Sequence, residues 1–221
     1  MPVLGVDGEP FPQAAAYVVE PGKAPRSAPF AVAGNRKAVV YLHAKDRRLT
    51  YQNARGTRPL TPPLTDADVP AVTFKGRFVV MSGDGAQVID TRTWAPLLTA
   101  GAREVHDVNA AGVIVTKGDR VLVLDLKGRQ RMRLPVGKGG DTYHLRPDGG
   151  RLVVIRWAKQ RAETYDPATG KRLSAVTYRF PGDDWLENVP GWSKGGRFLL
   201  HSAYEDRSYS LDLATGRLTP R

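Results

Sequence analysis

The sequence predicts an all-β protein assembled from one four-stranded unit repeated along the chain. Three observations predict it. First, a Gly-Arg turn opens into a short apolar, mostly β-branched run at residues 76–81, 150–155 and 196–201, with looser copies at 36–41 and 112–115. Second, an Asp or Asn hairpin follows each run, at Asn53, Asp90, Asp125, Asp166 and Asp212. Third, no segment carries the 3.6-residue apolar period of an amphipathic helix, and 23 glycines and 17 prolines interrupt the chain too often for long helices.

In chain order, the first 27 residues stand apart. Pro2 to Val6 reads as a short strand and Ala16 to Lys23 as a degenerate hairpin, so residues 1–27 form either a partial blade or an arm that latches onto the array. Residues 28–221 are expected to be a single domain of repeats. The hairpin residues at 53, 90, 125, 166 and 212 are spaced 37, 35, 41 and 46 apart, which is the length of a four-stranded propeller blade. The local physics is that of a turn: Asp or Asn accepts hydrogen bonds from the backbone just after it, and glycine supplies a positive φ. Each unit parses into strands A to D. In the fourth these fall near Thr142–Leu145, Arg151–Trp157, Arg161–Tyr165 and Lys171–Tyr178. In the fifth they fall near Asn188–Trp192, Arg197–Ser202, Ser208–Leu211 and Arg217–Pro220. The expected fold is therefore a β-propeller with five full repeats and a partial N-terminal blade, which leaves five or six blades open.

Two motifs carry a family resemblance. Arg146-Pro147-Asp148-Gly149-Gly150-Arg151 resembles the Ser-Pro-Asp-Gly-Lys turn between strands A and B in TolB-like and WD40-like (PD40-type) propellers. The hairpins at Asp166–Lys171 and Asp212–Arg217 are similar to the C–D turns of the same superfamily. The resemblance covers about residues 28–221. It implies the blade, a bacterial protein and a secreted or cell-envelope setting for a chain whose leader has been removed. It implies no particular activity, because such propellers host many. The Trp-Asp and Gly-His signatures of WD40 blades are absent.

Composition narrows the function classes. With no cysteine there is no disulfide, thiolate nucleophile or Cys-based metal site. There is no long apolar run that would encode a transmembrane segment, and the first residues do not read as a signal peptide. A net charge of +11 favours anionic partners, or serves solubility and the protection of strand edges. No Walker loop, Gly-x-Ser-x-Gly or His-Glu-x-x-His occurs, so no cofactor, metal or catalytic residue is assigned.

The candidate binding residues lie on the connections from strand D to the next strand A. These carry Asp66, Asp68, Glu104, Asp107, Asp141, Asp183, Asp184 and Glu187. The richest connection, residues 180–188, sets Trp185 among Asp183, Asp184 and Glu187. An aromatic of this kind stacks on a sugar or anchors a protein partner, or else fills the gap between units. His106, Asp107 and His144 fall at the starts of successive A strands and form the next candidate group. Arg129, Arg131 and Arg133 alternate along an outer strand as a basic stripe, suited to an anionic polymer or to blocking edge pairing. No aromatics interleave it, so no nucleic-acid motif is read. The expected function is a non-catalytic, monomeric binding or scaffold module that recognises a protein or polymer through its D–A loops. The alternative is a propeller hydrolase or lyase acting on a carbohydrate or lactone with acids at the channel mouth.

Overall fold

A computed structural model of the chain describes residues 11–83, 85–97, 101–137 and 140–221. The expected strand from Pro2 to Val6 lies outside the described residues. The chain divides into two compact units, Met1–Arg103 and Glu104–Arg221.

The first unit holds a two-stranded hairpin and two four-stranded sheets. The hairpin pairs β1 (Tyr17–Val18) with β2 (Arg26–Ser27). Sheet I contains β3 (Phe30–Val32), β4 (Ala38–Leu42), β5 (Leu49–Asn53) and β6 (Gly56–Pro59). Sheet II contains β7 (Ala71–Lys75), β8 (Phe78–Ser82), β9 (Ala86–Asp90) and β10 (Pro96–Leu97). The N-terminal segment is fastened to sheet I, where the Ala15 N–H donates to the Leu42 carbonyl at 2.7 Å and the Phe11 ring meets Tyr41 edge-on at 4.8 Å, and to the connection after it, where the Val19 N–H donates to Asp66 Oδ2 at 2.8 Å. Val40, Leu42, Leu49 and Tyr51 of sheet I pack with Val72, Val79, Met81 and Ile89 of sheet II as one apolar core.

The second unit holds three more sheets of the same order. Sheet III is β11 (Glu104–Asn109), β12 (Gly112–Lys117), β13 (Arg120–Leu124) and β14 (Gln130–Pro135). Sheet IV is β15 (Thr142–Leu145), β16 (Leu152–Arg156), β17 (Arg161–Tyr165) and β18 (Arg172–Thr177). Sheet V is β19 (Leu186–Trp192), β20 (Phe198–Ser202), β21 (Ser208–Leu211) and β22 (Leu218–Pro220). Alternating side chains put one set of β16 and β17 residues against sheet III and the other set against sheet V. Thus Leu152, Val154 and Tyr165 pack with Ile114 and Val123, whereas Val153, Ile155 and Ala162 pack with Phe198, Leu200 and Tyr209.

Among the described residues, five four-stranded antiparallel sheets in meander order make this an all-β fold of propeller-type blades. The hairpin physics holds in all five. Asn53, Asp90, Asp125, Asp166 and Asp212 each accept the backbone N–H two residues on, from Arg55, Arg92, Lys127, Ala168 and Ala214, at 2.8–2.9 Å. Gly216 shows why glycine closes such a turn. Its φ is +78°, and a Cβ there would sit 2.1 Å from the Thr177 carbonyl oxygen.

Candidate functional site

The loop before β19 is built from the inside out. As the chain leaves β18, Tyr178 and Phe180 are buried, and Phe180 meets Tyr209 of β21 edge-on at 5.3 Å. That anchor brings Pro181–Asp184 beside the connection between β20 and β21.

Asp184 then ties the two loops together. Its Oδ1 accepts the Trp185 N–H at 2.8 Å and the Tyr204 N–H at 2.9 Å, and its Oδ2 accepts the Glu205 N–H at 3.4 Å. The Ala203 N–H donates back to the Trp185 carbonyl at 3.0 Å. Burial pushes the Asp184 carboxyl up, but donors from the Ser202 hydroxyl and the three loop N–H groups outweigh it and hold the carboxyl below its ordinary value. Asp184 is only 8% exposed, so its role here is to set the loop backbone.

What the knot presents is aromatic. Trp185 is 55% exposed and Tyr204 is 82% exposed, on neighbouring loops joined by the contacts above. Asp183 lies exposed at the same edge.

A polar group stands beside them. His201 Nε2 lies 2.9 Å from Asp206 Oδ1 and 3.5 Å from Glu187 Oε2, and its Nδ1 lies 3.2 Å from the Ser208 hydroxyl. One ligand atom from each of Glu187, His201 and Asp206 falls within 4.8 Å of the others. An imidazole nitrogen with two carboxylate oxygens is a donor set suited to a borderline divalent cation such as zinc, with coordination positions left over. The same three groups can also exchange protons with a bound molecule.

Of the sequence-predicted residues, the structure brings together Asp183, Asp184, Trp185 and Glu187. It adds Tyr204, His201 and Asp206, which sequence reasoning did not assign. The available signal was length: the interval from Asp166 to Asp212 is 46 residues, the longest of the series, and the extra chain lies in these two loops.

His106, Asp107 and His144 are used elsewhere. His106 Nε2 lies 2.6 Å from the Thr116 hydroxyl, and its ring meets Tyr143 of sheet IV at a tilt, with centroids 4.8 Å apart. Burial holds its pKa down, against the opposing pull of Glu104. Asp107 Oδ2 accepts the Leu145 N–H at 3.0 Å, joining sheets III and IV. His144 meets Phe198 of sheet V edge-on at 5.5 Å, and a Cβ on Gly191 (φ +80°) would sit 2.8 Å from its Nδ1. The two histidines thus serve successive joins between sheets.

The basic residues of β14 also separate. A register shift opposite Val123 and Leu124 interrupts the alternation. Arg129 lies in the turn, its Nε donating to Asp125 at 2.7 Å, while Arg131 reaches the Gly149 carbonyl of sheet IV at 3.4 Å. Of the three arginines only Arg133 stands exposed within the strand, between buried Met132 and Leu134.

No protein-family model matches the chain, and no curated protein matches it. Among solved structures it is similar to KlHsv2 with its loop 6CD replaced by a Gly-Ser linker, at 9% identity and a TM-score of 0.42, over 85% of this chain and 78% of that one. It is also similar to a protein from Lactobacillus plantarum, at 16% identity and a TM-score of 0.49, over 87% of this chain and 69% of that one. Neither likeness bears on function, and the fold assignment rests on the strand pairing. Among the described residues, no helix is long and apolar enough to cross a membrane.

Proposed function

We propose that this chain is a non-catalytic binding module of the TolB-like propeller type, which takes a protein or polymer ligand on the loops at the start of sheet V. One observation carries the reading: Trp185 and Tyr204 are held exposed on two loops joined by hydrogen bonds, on backbone that Asp184 fixes. Large aromatics cost little side-chain entropy on binding and supply most of the contact energy of many interfaces. Fixing the loops beforehand lowers the cost of ordering them when the ligand arrives.

The test is retention on immobilised fractions of a bacterial cell-envelope extract, one of protein and one of polysaccharide. Wild type is retained on one fraction, and protease treatment of that fraction tells protein from polymer. The Trp185→Ala/Tyr204→Ala variant passes through both. Equal retention of the variant, or no retention of wild type on either fraction, overturns the reading.

The convergence of Glu187, His201 and Asp206 favours a second reading, a hydrolase or lyase acting on a carbohydrate or lactone. Such an enzyme needs two carboxyl groups flanking the scissile bond, and here an oxygen of Glu187 and one of Asp206 lie within 4.8 Å of each other. Under this reading Glu187→Gln abolishes release of reducing ends from a retained polysaccharide without abolishing retention.

A further inference from the structure

We infer that the opposite end of sheets IV and V holds a second site, which takes an organic phosphate or sulfate ester. Strand β19 has a tryptophan at each end: Trp185 just before it, in the loop site above, and Trp192 as its last residue. Trp192 lines a cavity of about 350 Å³ together with Arg146, Arg151 and Arg197. This is a different place from the Trp185 site, and the inference does not depend on what that site binds.

The arginines are what make the cavity selective. Arg151 and Arg197 occupy the same position in the repeat, directly before β16 and β20. In sheet II that position is Arg77, which is closed by a carboxylate: its Nη2 lies 2.9 Å from Asp90, whose side chain is 7% exposed. Among the described residues, Arg151 and Arg197 have no such ion pair. The matching hairpin acids hold their own turns, as Asp90 does through the Arg92 N–H, but unlike Asp90 they make no ion pair with the arginine before the strand. Asp166 accepts from the Ala168 N–H and the Thr169 hydroxyl, both at 2.8 Å. Asp212, which lines the cavity, accepts the Ala214 N–H at 2.8 Å and the Thr215 N–H at 3.1 Å. Those backbone donors, Ala214 first, hold the Asp212 carboxyl below its ordinary value, so the wall carries one anion against the three guanidinium groups of Arg146, Arg151 and Arg197.

The third guanidinium is positioned rather than free. Arg146 Nε lies 3.2 Å from Asp148, and its Cζ stands 5.5 Å from the Trp192 ring centroid. Asp148 in turn accepts the Gly150 N–H at 2.9 Å. The Trp192 indole Nε1 is buried and has no hydrogen-bond partner among the described residues. The hydroxyl-bearing Ser210 and Thr219 line the same space.

Guanidinium forks match the paired oxygens of phosphate and sulfate, and a planar cation held over an indole is preset for them. The cavity is near the lower end of the size range of small-molecule sites. It therefore has room for a sugar-sized body carrying the anionic group.

Isothermal titration with glucose 6-phosphate, glucose 6-sulfate and glucose tests the inference on the full chain. Both esters bind one to one, and glucose does not bind. Arg151→Ala/Arg197→Ala weakens ester binding by about tenfold or more, with an unchanged melting temperature. Lys171→Ala/Arg172→Ala removes two charges from the exposed start of β18, outside the cavity, and leaves the affinity within about twofold. The inference is overturned if neither ester binds, if glucose binds as well as the esters, or if the two double variants weaken binding alike. Inorganic phosphate competing as well as the sugar esters would overturn the sugar-sized body. Retention of heparin by wild type with equal retention by Arg151→Ala/Arg197→Ala would show diffuse polyanion attraction and likewise overturn it.

Discussion

Sheets IV and V carry a charged group at the same place in the repeat and use it in opposite ways. Asp141 and Glu187 match in register, each standing one residue before the pairs Thr142–Ile155 and Asn188–His201. In sheet IV, Asp141 pairs with Arg156, which also holds Glu163 at 3.1 Å, while the Tyr165 hydroxyl donates to Glu163 at 2.8 Å. The Arg156, Asp141 and Glu163 side chains are 19%, 5% and 10% exposed. In sheet V the corresponding acid is 54% exposed, and its neighbour Asp206 is 91% exposed. One network is closed and faces the core. The other faces solvent beside two exposed aromatics. The shared residues of the repeat serve folding, and the departures from it are where a ligand finds free groups.

The largest expected effect breaks the closed network. Arg156→Met takes the guanidinium from the buried Asp141 carboxylate and leaves Glu163 to Arg161 Nε, at 3.4 Å, and the Tyr165 hydroxyl, and should cost about 3 kcal/mol by urea denaturation. Replacing all three groups, with Asp141→Asn and Glu163→Gln added, should recover most of that loss, because a removed network costs less than a broken one. The effect of pH sharpens the point. Burial pushes the Glu163 carboxyl up, but the Tyr165 hydroxyl and the Arg156 guanidinium outweigh it and hold it below its ordinary value. Its stabilising share is therefore present above the unfolded value of 4.5 and is lost as pH falls through the lower folded value. Arg156→Met removes one of the groups that hold the carboxyl low, so the deficit of the variant should shrink as the medium is taken below about pH 4.5, where wild type loses the share that Arg156 supplies.

An intermediate effect is expected at Asp184. Asp184→Ala frees the Tyr204 and Glu205 N–H groups, so it should lower the melting temperature, speed hydrogen exchange at those two amides and weaken ligand retention together. The Asp184 carboxyl is held low in the folded state. The knot is thus intact above the unfolded value of 3.8 and loosens as pH falls through the folded one, which hydrogen exchange across pH 2–5 would read.

Most of the fold was legible in the sequence. Asx turns demand Asp or Asn with glycine, and buried strands demand β-branched runs, so the strands Thr142–Leu145, Arg161–Tyr165 and Ser208–Leu211 match their expected bounds. Strand β19 starts two residues earlier than expected, at Leu186, because register shifts on either side of Asn188 let an irregular segment remain paired. The N-terminal hairpin was expected within Ala16 to Lys23, whereas the described strands pair Tyr17–Val18 with Arg26–Ser27, so its second strand falls beyond those bounds. The candidate site was half legible. Trp185 announces itself by type and place, but Tyr204 and Asp206 reach it only through the Asp184 hydrogen bonds and the pairing of β19 with β20, which no local pattern encodes. The alternation of Arg129, Arg131 and Arg133 failed for a similar reason: a single bulge moves residues out of register.

The smallest effect on stability should come from the exposed aromatics, and it bears most directly on the contrast between the two sheets. Melting and envelope-fraction retention of Trp185→Ala/Tyr204→Ala should be measured on the same preparation. The account predicts a stability within about 0.5 kcal/mol of wild type and loss of retention. Retention equal to wild type, or a large fall in stability, would contradict it.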